Sequence, residues 1–140
     1  MSRPRRLRLE ATFYLVAARL AVAVLPYRLL TRVFELPARS PELAGPEREQ
    51  ACREVRAAIH HAHHWVPGSV CLPKAIAAQA MLRRRGIATT LHFGVATRPA
   101  AAFGSHAWVT DGDVGVTGLR ASRHYTPVAS YSGRRGAAAS

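Results

Sequence analysis

Cys71 and His106 are the two residues whose types suit nucleophilic acyl chemistry. A thiolate attacks a carbonyl carbon, an imidazole takes the thiol proton and returns one to the leaving amine, and a third group steadies the ring. Cys71 has the local setting for this. It opens the stretch Cys71-Leu72-Pro73-Lys74, which the pattern predicts to begin a helix ending before Gly86. Pro73 suits the first turn, where a missing N–H costs nothing. Leu72, Ala75, Ile76, Gln79 and Leu82 recur on one face, Arg83, Arg84 and Arg85 fill the last turn, and Gly86 fits the position just past the end. A thiol at a helix start meets unpaired N–H donors and the positive end of the dipole, both of which favour thiolate. The Cys71 backbone N–H is also placed to hold an oxyanion. On pattern alone, a second description fits too: Cys71 as a buried residue near a helix cap and His106 as an ordinary strand-edge side chain.

The elements that must bring these residues together follow from periodicity. After Gly86 the pattern alternates. Leu91, Phe93 and Val95 share one strand face, with Thr90, His92 and Gly94 opposite. A second strand begins at Ser105, with Ala107 and Val109 on one side and His106 and Trp108 on the other. Asp111-Gly112 is a hairpin turn signal, and Val114 and Val116 suit a third strand. Arg98 to Gly104 reads as a loop, Thr117 to Tyr131 as irregular with Tyr125-Thr126-Pro127 docking on the sheet, and Ser132 to Ser140 as a disordered tail.

Upstream, residues 1–8 read as a mobile basic arm, followed by an apolar helix from Leu9 to Leu25 that stops at Pro26. Glu10, Arg19 and the amphipathic continuation Tyr27 to Phe34 argue against a signal peptide or a spanning helix, and the run is short of the ~20 residues a span needs. Its reading is a core- or partner-facing helix, with a membrane-surface contact left open. The segment Pro37 to Pro46 is a connector into a helix reaching His64, whose buried face carries Cys52, Val55, Ile59 and Ala62. Cys52 is thus a small inert core residue. The cluster His60-His61-Ala62-His63-His64 lacks a further ligand and an HExxH pattern, so it reads as a solvated helix end. Trp65 and Trp108 read as packing residues, with Trp65 near the oxyanion and Trp108 walling the cleft as the functional alternatives; His92 is a further cleft-lining candidate.

The chain has 140 residues, a net charge of +12, and 49% hydrophobic residues, enough for one domain with a real core. Such charge suits nucleic acid, an anionic membrane or an acidic protein partner. The aromatics are not interleaved with the arginines and no nucleic-acid-binding signature is present, so nucleic acid is not the expected partner. Two cysteines make no disulfide scaffold, and a cytoplasmic setting follows, with peripheral membrane contact left open.

Four blocks in order, Cys71-Leu72-Pro73-Lys74, Leu82-Arg83-Arg84-Arg85-Gly86-Ile87, Leu91-His92-Phe93-Gly94-Val95 and His106-Ala107-Trp108-Val109, resemble the lasso peptide biosynthesis B2 proteins. These are cysteine leader peptidases of the transglutaminase-like, papain-related superfamily. The resemblance covers about residues 69–131. It implies Cys71 as nucleophile, His106 as general base, and hydrolysis of one peptide bond in a precursor peptide so that an ATP-dependent lasso cyclase can close the core segment. It also implies a small B1, or RiPP-recognition, leader-binding partner and no metal or organic cofactor.

In similar proteins an acid follows the histidine by about a dozen positions. Here that region reads Val116-Thr117-Gly118-Leu119, and only Asp111 and Asp113 follow His106. Asp113 enters the third strand and is the preferred carboxylate if the hairpin register lets it reach back. Asp111 has a turn role of its own. A backbone carbonyl or Thr117 is the remaining way to orient the ring. The expected architecture is α+β: residues 1–45 as N-terminal helices and connector, 46–131 as a transglutaminase-like core with the cysteine helix packed on a small antiparallel sheet, and 132–140 as tail. The rivals are an acyl-transfer enzyme of the same fold and a non-catalytic or weakly active peptide-binding module.

Overall fold

The first helix, α1 (Arg3–Val24), starts well before the apolar run that announces it. Pro4 sits in its first turn, arginines are good helix formers, and the Arg3 guanidinium donates to Glu54 Oε1 at 2.9 Å. The expected mobile arm is therefore helical from Arg3 onward. The computed structural model that shows this describes residues 2–68, 70–96 and 105–132. The expected loop at 98–104 and the tail beyond Ser132 lie outside the described residues.

Helix α1 is apolar on two opposite sides. Ala11, Leu15 and Ala18 are buried, whereas Leu9, Phe13, Val16, Leu20 and Val24 line an exposed stripe. No described helix is long and apolar enough to cross a membrane. Helix α2 (Tyr27–Phe34) buries Leu30 and Phe34. Helix α3 (Gly45–Ala62) buries Ala51, Cys52, Val55, Ala58, Ile59 and Ala62, the face its spacing predicts, and then tightens into a 3₁₀ turn at His63–Trp65. Helix α4 (Cys71–Arg84) is the centre of the molecule, packed on α1, α3 and the sheet.

The sheet comprises β1 (Thr90–Ala96), β2 (Ser105–Asp111), β3 (Val114–Thr117) and β4 (Tyr125–Ser132), all antiparallel in the order β3-β2-β1-β4. A short helix, α5 (Leu119–Ser122), links β3 to β4. The stretch expected to be irregular after Thr117 thus contains a full strand, which runs through Ser132 into the first residue of the expected tail. Pro127 lacks the N–H a central strand must donate, but β4 is an edge, where proline is tolerated. A register shift in the β1–β4 pairing falls between Phe93 and Gly94, next to the Gly94–Pro127 pair.

Each arginine at the end of α4 fastens an N-terminal element. Arg85 makes two hydrogen bonds to Glu10, at 2.8 and 2.6 Å, and Arg83 donates to the carbonyls of Val33 and Leu36 at the end of α2. Gly86 has φ of +84°, and a Cβ there would come within 2.6 Å of the Pro41 carbonyl oxygen, so the connector also closes onto the helix end. One buried cluster runs from Ala11 to Val116. The N-terminal helices therefore share a core with the rest of the chain, across the boundary expected at residue 45.

Candidate active site

Helix α4 begins at Cys71 itself. The turn before it is held from α1: Arg19 Nε donates to the Pro67 carbonyl at 3.2 Å, and Gly68, at φ +78°, leaves room for the Arg19 side chain. Strand β2 brings His106 to the same place, and the two side chains hydrogen-bond. The sulfur also accepts the backbone N–H groups of Ala107 and Leu72. Burial acts to raise the thiol pKa. The hydrogen bond from His106, the N–H of Ala107, the imidazole charge and the N–H of Leu72 together outweigh it, and the pKa lies below the ordinary thiol value. His106 moves the opposite way. Its hydrogen bond to Cys71 raises its pKa, burial opposes this, and the Gly118 carbonyl adds to the rise. Both shifts move the pair toward thiolate and imidazolium relative to the two groups apart.

The ring is oriented by the main chain. His106 Nε2 lies 2.9 Å from the Gly118 carbonyl oxygen, which only accepts, so Nε2 carries the hydrogen and Nδ1 is left to serve the thiol. Gly118 lies twelve positions after His106, where the resemblance leads one to look for an acid. The imidazole also stacks on two aromatic rings. Trp108 stacks on it at 5.5 Å between centroids and 18° between planes, and Tyr125 at 5.0 Å and 28°. Aromatic faces at this distance stabilise a cation. Room for the indole comes from β1, since a Cβ on Gly94 would lie 3.0 Å from the Trp108 ring.

The remaining candidates lie elsewhere or serve the scaffold. Asp113 is exposed in the β2–β3 turn. That hairpin pairs Asp111 with Val114, at the opposite end of β2 from His106. Asp111 lies five residue steps along the strand from His106, about 16 Å at the usual rise, so the register does not bring Asp113 to the imidazole. Asp111 is taken by Arg48, which donates to both its oxygens at 2.6 and 2.8 Å, and it accepts from the Cys52 thiol at 3.6 Å. Arg48 holds the Asp111 carboxyl below its usual range, and burial first, then Asp111, push the buried Cys52 thiol up to about 11. The Thr117 hydroxyl has no hydrogen-bond partner among the described residues.

His92 is a sheet residue. Its ring bonds Ser130 and Thr110 at 2.9 and 2.8 Å and stacks on Trp108 at 5.4 Å, continuing the column of rings under His106. Trp108 is both packed, at 5% exposure, and a wall of the site. Trp65 is neither packed nor sheltered: it is 73% exposed on the 3₁₀ turn. The rings of His60, His63 and His64 touch one another, and among the described residues no group of three or more His, Cys, Asp or Glu is placed to hold a metal ion.

The Gly118 carbonyl is the functional group that residue types do not reveal. The absence of an acid near position 118, together with a glycine there, is the only trace it leaves in the sequence.

A family model described as the transglutaminase-like superfamily matches residues 13–130. Comparison with curated proteins and with solved structures finds no significant match. The family match spans most of the chain and includes α4, the sheet, Cys71 and His106, in the helix-then-strand order of the α+β core described above. This chain belongs to the transglutaminase-like superfamily.

Proposed function

We propose that the chain is a cysteine peptidase that removes the leader from a ribosomally synthesised lasso precursor peptide. The observation that carries the reading is the hydrogen-bonded Cys71–His106 pair at a helix start, with the thiol pKa lowered and the imidazole pKa raised. The four-block resemblance to lasso B2 proteins supplies the substrate class. In the first half-reaction the Cys71 thiolate adds to the scissile carbonyl carbon, and the oxyanion is held at the positive end of α4 with the Cys71 N–H. The C–N bond then breaks as His106 gives its Nδ1 proton to the leaving amine. In the second, His106 takes a proton from water, hydroxide adds to the thioester, and the thiolate leaves. A leader-binding RiPP-recognition partner presents the precursor, and the cyclase consumes the freed core.

A second reading has one observation in its favour. Among the described residues the hydrogen-bond partner of His106 Nε2 is the Gly118 carbonyl and not a carboxylate, which suits a weakly active or non-catalytic peptide-binding module of the same fold. Acyl transfer to an amine uses the same thioester and differs only in the acceptor. Incubation of precursor peptide and partner with the wild type, Cys71→Ala and His106→Ala, followed by mass spectrometry, separates these. The proposal expects one cleavage by the wild type and none by Cys71→Ala. Cleavage that persists without the thiol overturns the mechanism, an amine adduct identifies transfer, and an uncleaved but bound precursor identifies the module.

A further inference from the structure

Next to the dyad lies an open trough of about 760 Å³. One wall is α3, which contributes Arg53, Arg56 and His60 at helical spacing from one face; His63 of the 3₁₀ turn continues it. Lys74, one turn after Cys71, comes from α4, and Arg120 from α5. Gly118 is also among the lining residues, so the trough abuts the carbonyl that holds His106. Among the described residues no aspartate or glutamate lines it. Glu49 lies one turn earlier on the same face of α3 but outside the lining, and Glu54 is engaged by Arg3.

We propose that this trough is a substrate subsite that binds the carboxylate side chains of an acidic peptide segment beside the scissile bond. The inference rests on the peptidase or acyl-transfer reading of the dyad and adds a substrate class to it. Three guanidinium groups and an ammonium around one cavity supply paired N–H donors in the geometry a carboxylate accepts. The volume lies in the range of a site for a few side chains. Positive charge is concentrated there: His63 is lowered in pKa by burial and then by Lys74, His64 and His60. Among the described residues the lining contains no Phe, Tyr or Trp, the large rings that form the stacking platform of a single-strand nucleic-acid channel.

Two labelled dodecapeptides test this, identical except that one carries three glutamates where the other carries three glutamines. Binding is read by fluorescence anisotropy on Cys71→Ala, so that no turnover is needed. The proposal expects the glutamate peptide to bind about tenfold tighter, one modest ion pair at each of three arginines. The preference should vanish in the same background carrying Arg53→Gln, Arg56→Gln and Arg120→Gln. It should persist with Arg5→Gln, Arg28→Gln and Arg32→Gln, which remove equal charge from α1 and α2; thermal melts confirm folding of both sets. Equal affinity for the two peptides, or equal loss in the two charge sets, overturns the subsite. Wild-type digestion of a random peptide library reports separately on the dyad. Cleavage with no acidic preference near the cut overturns the subsite and leaves the peptidase standing. Glutamate-selective binding without any cleavage does the reverse.

Discussion

Gly118 combines two constraints on His106. Its φ is +67°, and a Cβ built there would lie 2.8 Å from the His106 Nε2 atom that its own carbonyl holds. Gly118→Ala should thus cost about 1–2 kcal/mol in stability from the left-handed conformation. By displacing the base it should also cost up to about 10²-fold in turnover, read as kcat on a cleaved peptide. Asp113→Ala, in the exposed turn, should leave turnover within about twofold, since such surface changes stay within ~0.5 kcal/mol. The two thiols should also separate by titration. A lowered pKa means the Cys71 thiolate is fully present above that pKa and disappears as pH falls through it, at lower pH than for an unperturbed thiol. Iodoacetamide labelling across a pH series followed by mass spectrometry should show Cys71 reacting at lower pH than Cys52, which is buried and near 11. In His106→Ala the Cys71 profile should move to higher pH, because burial then acts against fewer stabilising contacts.

At the scale of elements, α4 was legible because every local signal agreed: proline early, one apolar face, arginines late, glycine after. The same holds for α3, β1, β2 and the turn at Asp111-Gly112. Strand β4 was hidden because its residues alternate only weakly and include Pro127, so its existence depends on β1 offering a free edge. The first turns of α1 were hidden because a run of arginines looks solvated until Glu54, far along the chain, is brought beside Arg3. Helix α1 itself yields a contrast between its two sides. Leu15→Ala, fully buried, should destabilise by about 2–5 kcal/mol, whereas Phe13→Gln, 66% exposed, should stay within about 0.5 kcal/mol in denaturant unfolding.

For the whole molecule, the thiol and imidazole that the structure brings together were legible because nucleophilic chemistry needs particular residue types. A backbone carbonyl was among the expected ways to orient the ring, but which one was not legible, because every residue has one. The distribution of acids was a true guide of another kind. Of the two that follow His106, Asp111 bridges β2 to Arg48 and Cys52 on α3, and Asp113 faces solvent. The scarcity of carboxylates in the second half of the chain left the imidazole to the backbone.

The two-sided apolarity of α1 has a consequence for how the fold selects one arrangement. With leucines and valines on both faces, apolar area alone hardly distinguishes the native helix from one turned half-way about its axis. Shape and charge make the distinction. The buried side is narrow, with Ala11 and Ala18 flanking Leu15, and it excludes the bulk of Phe13 and Leu20. Arg3 to Glu54, Glu10 to Arg85 and Arg19 to Pro67 would all be broken by the rotation. These exposed and half-buried polar contacts each add little stability, yet together they act as the key that picks one rotational setting. Because Arg19 is one of them, the same choice decides where the turn ahead of Cys71 is held.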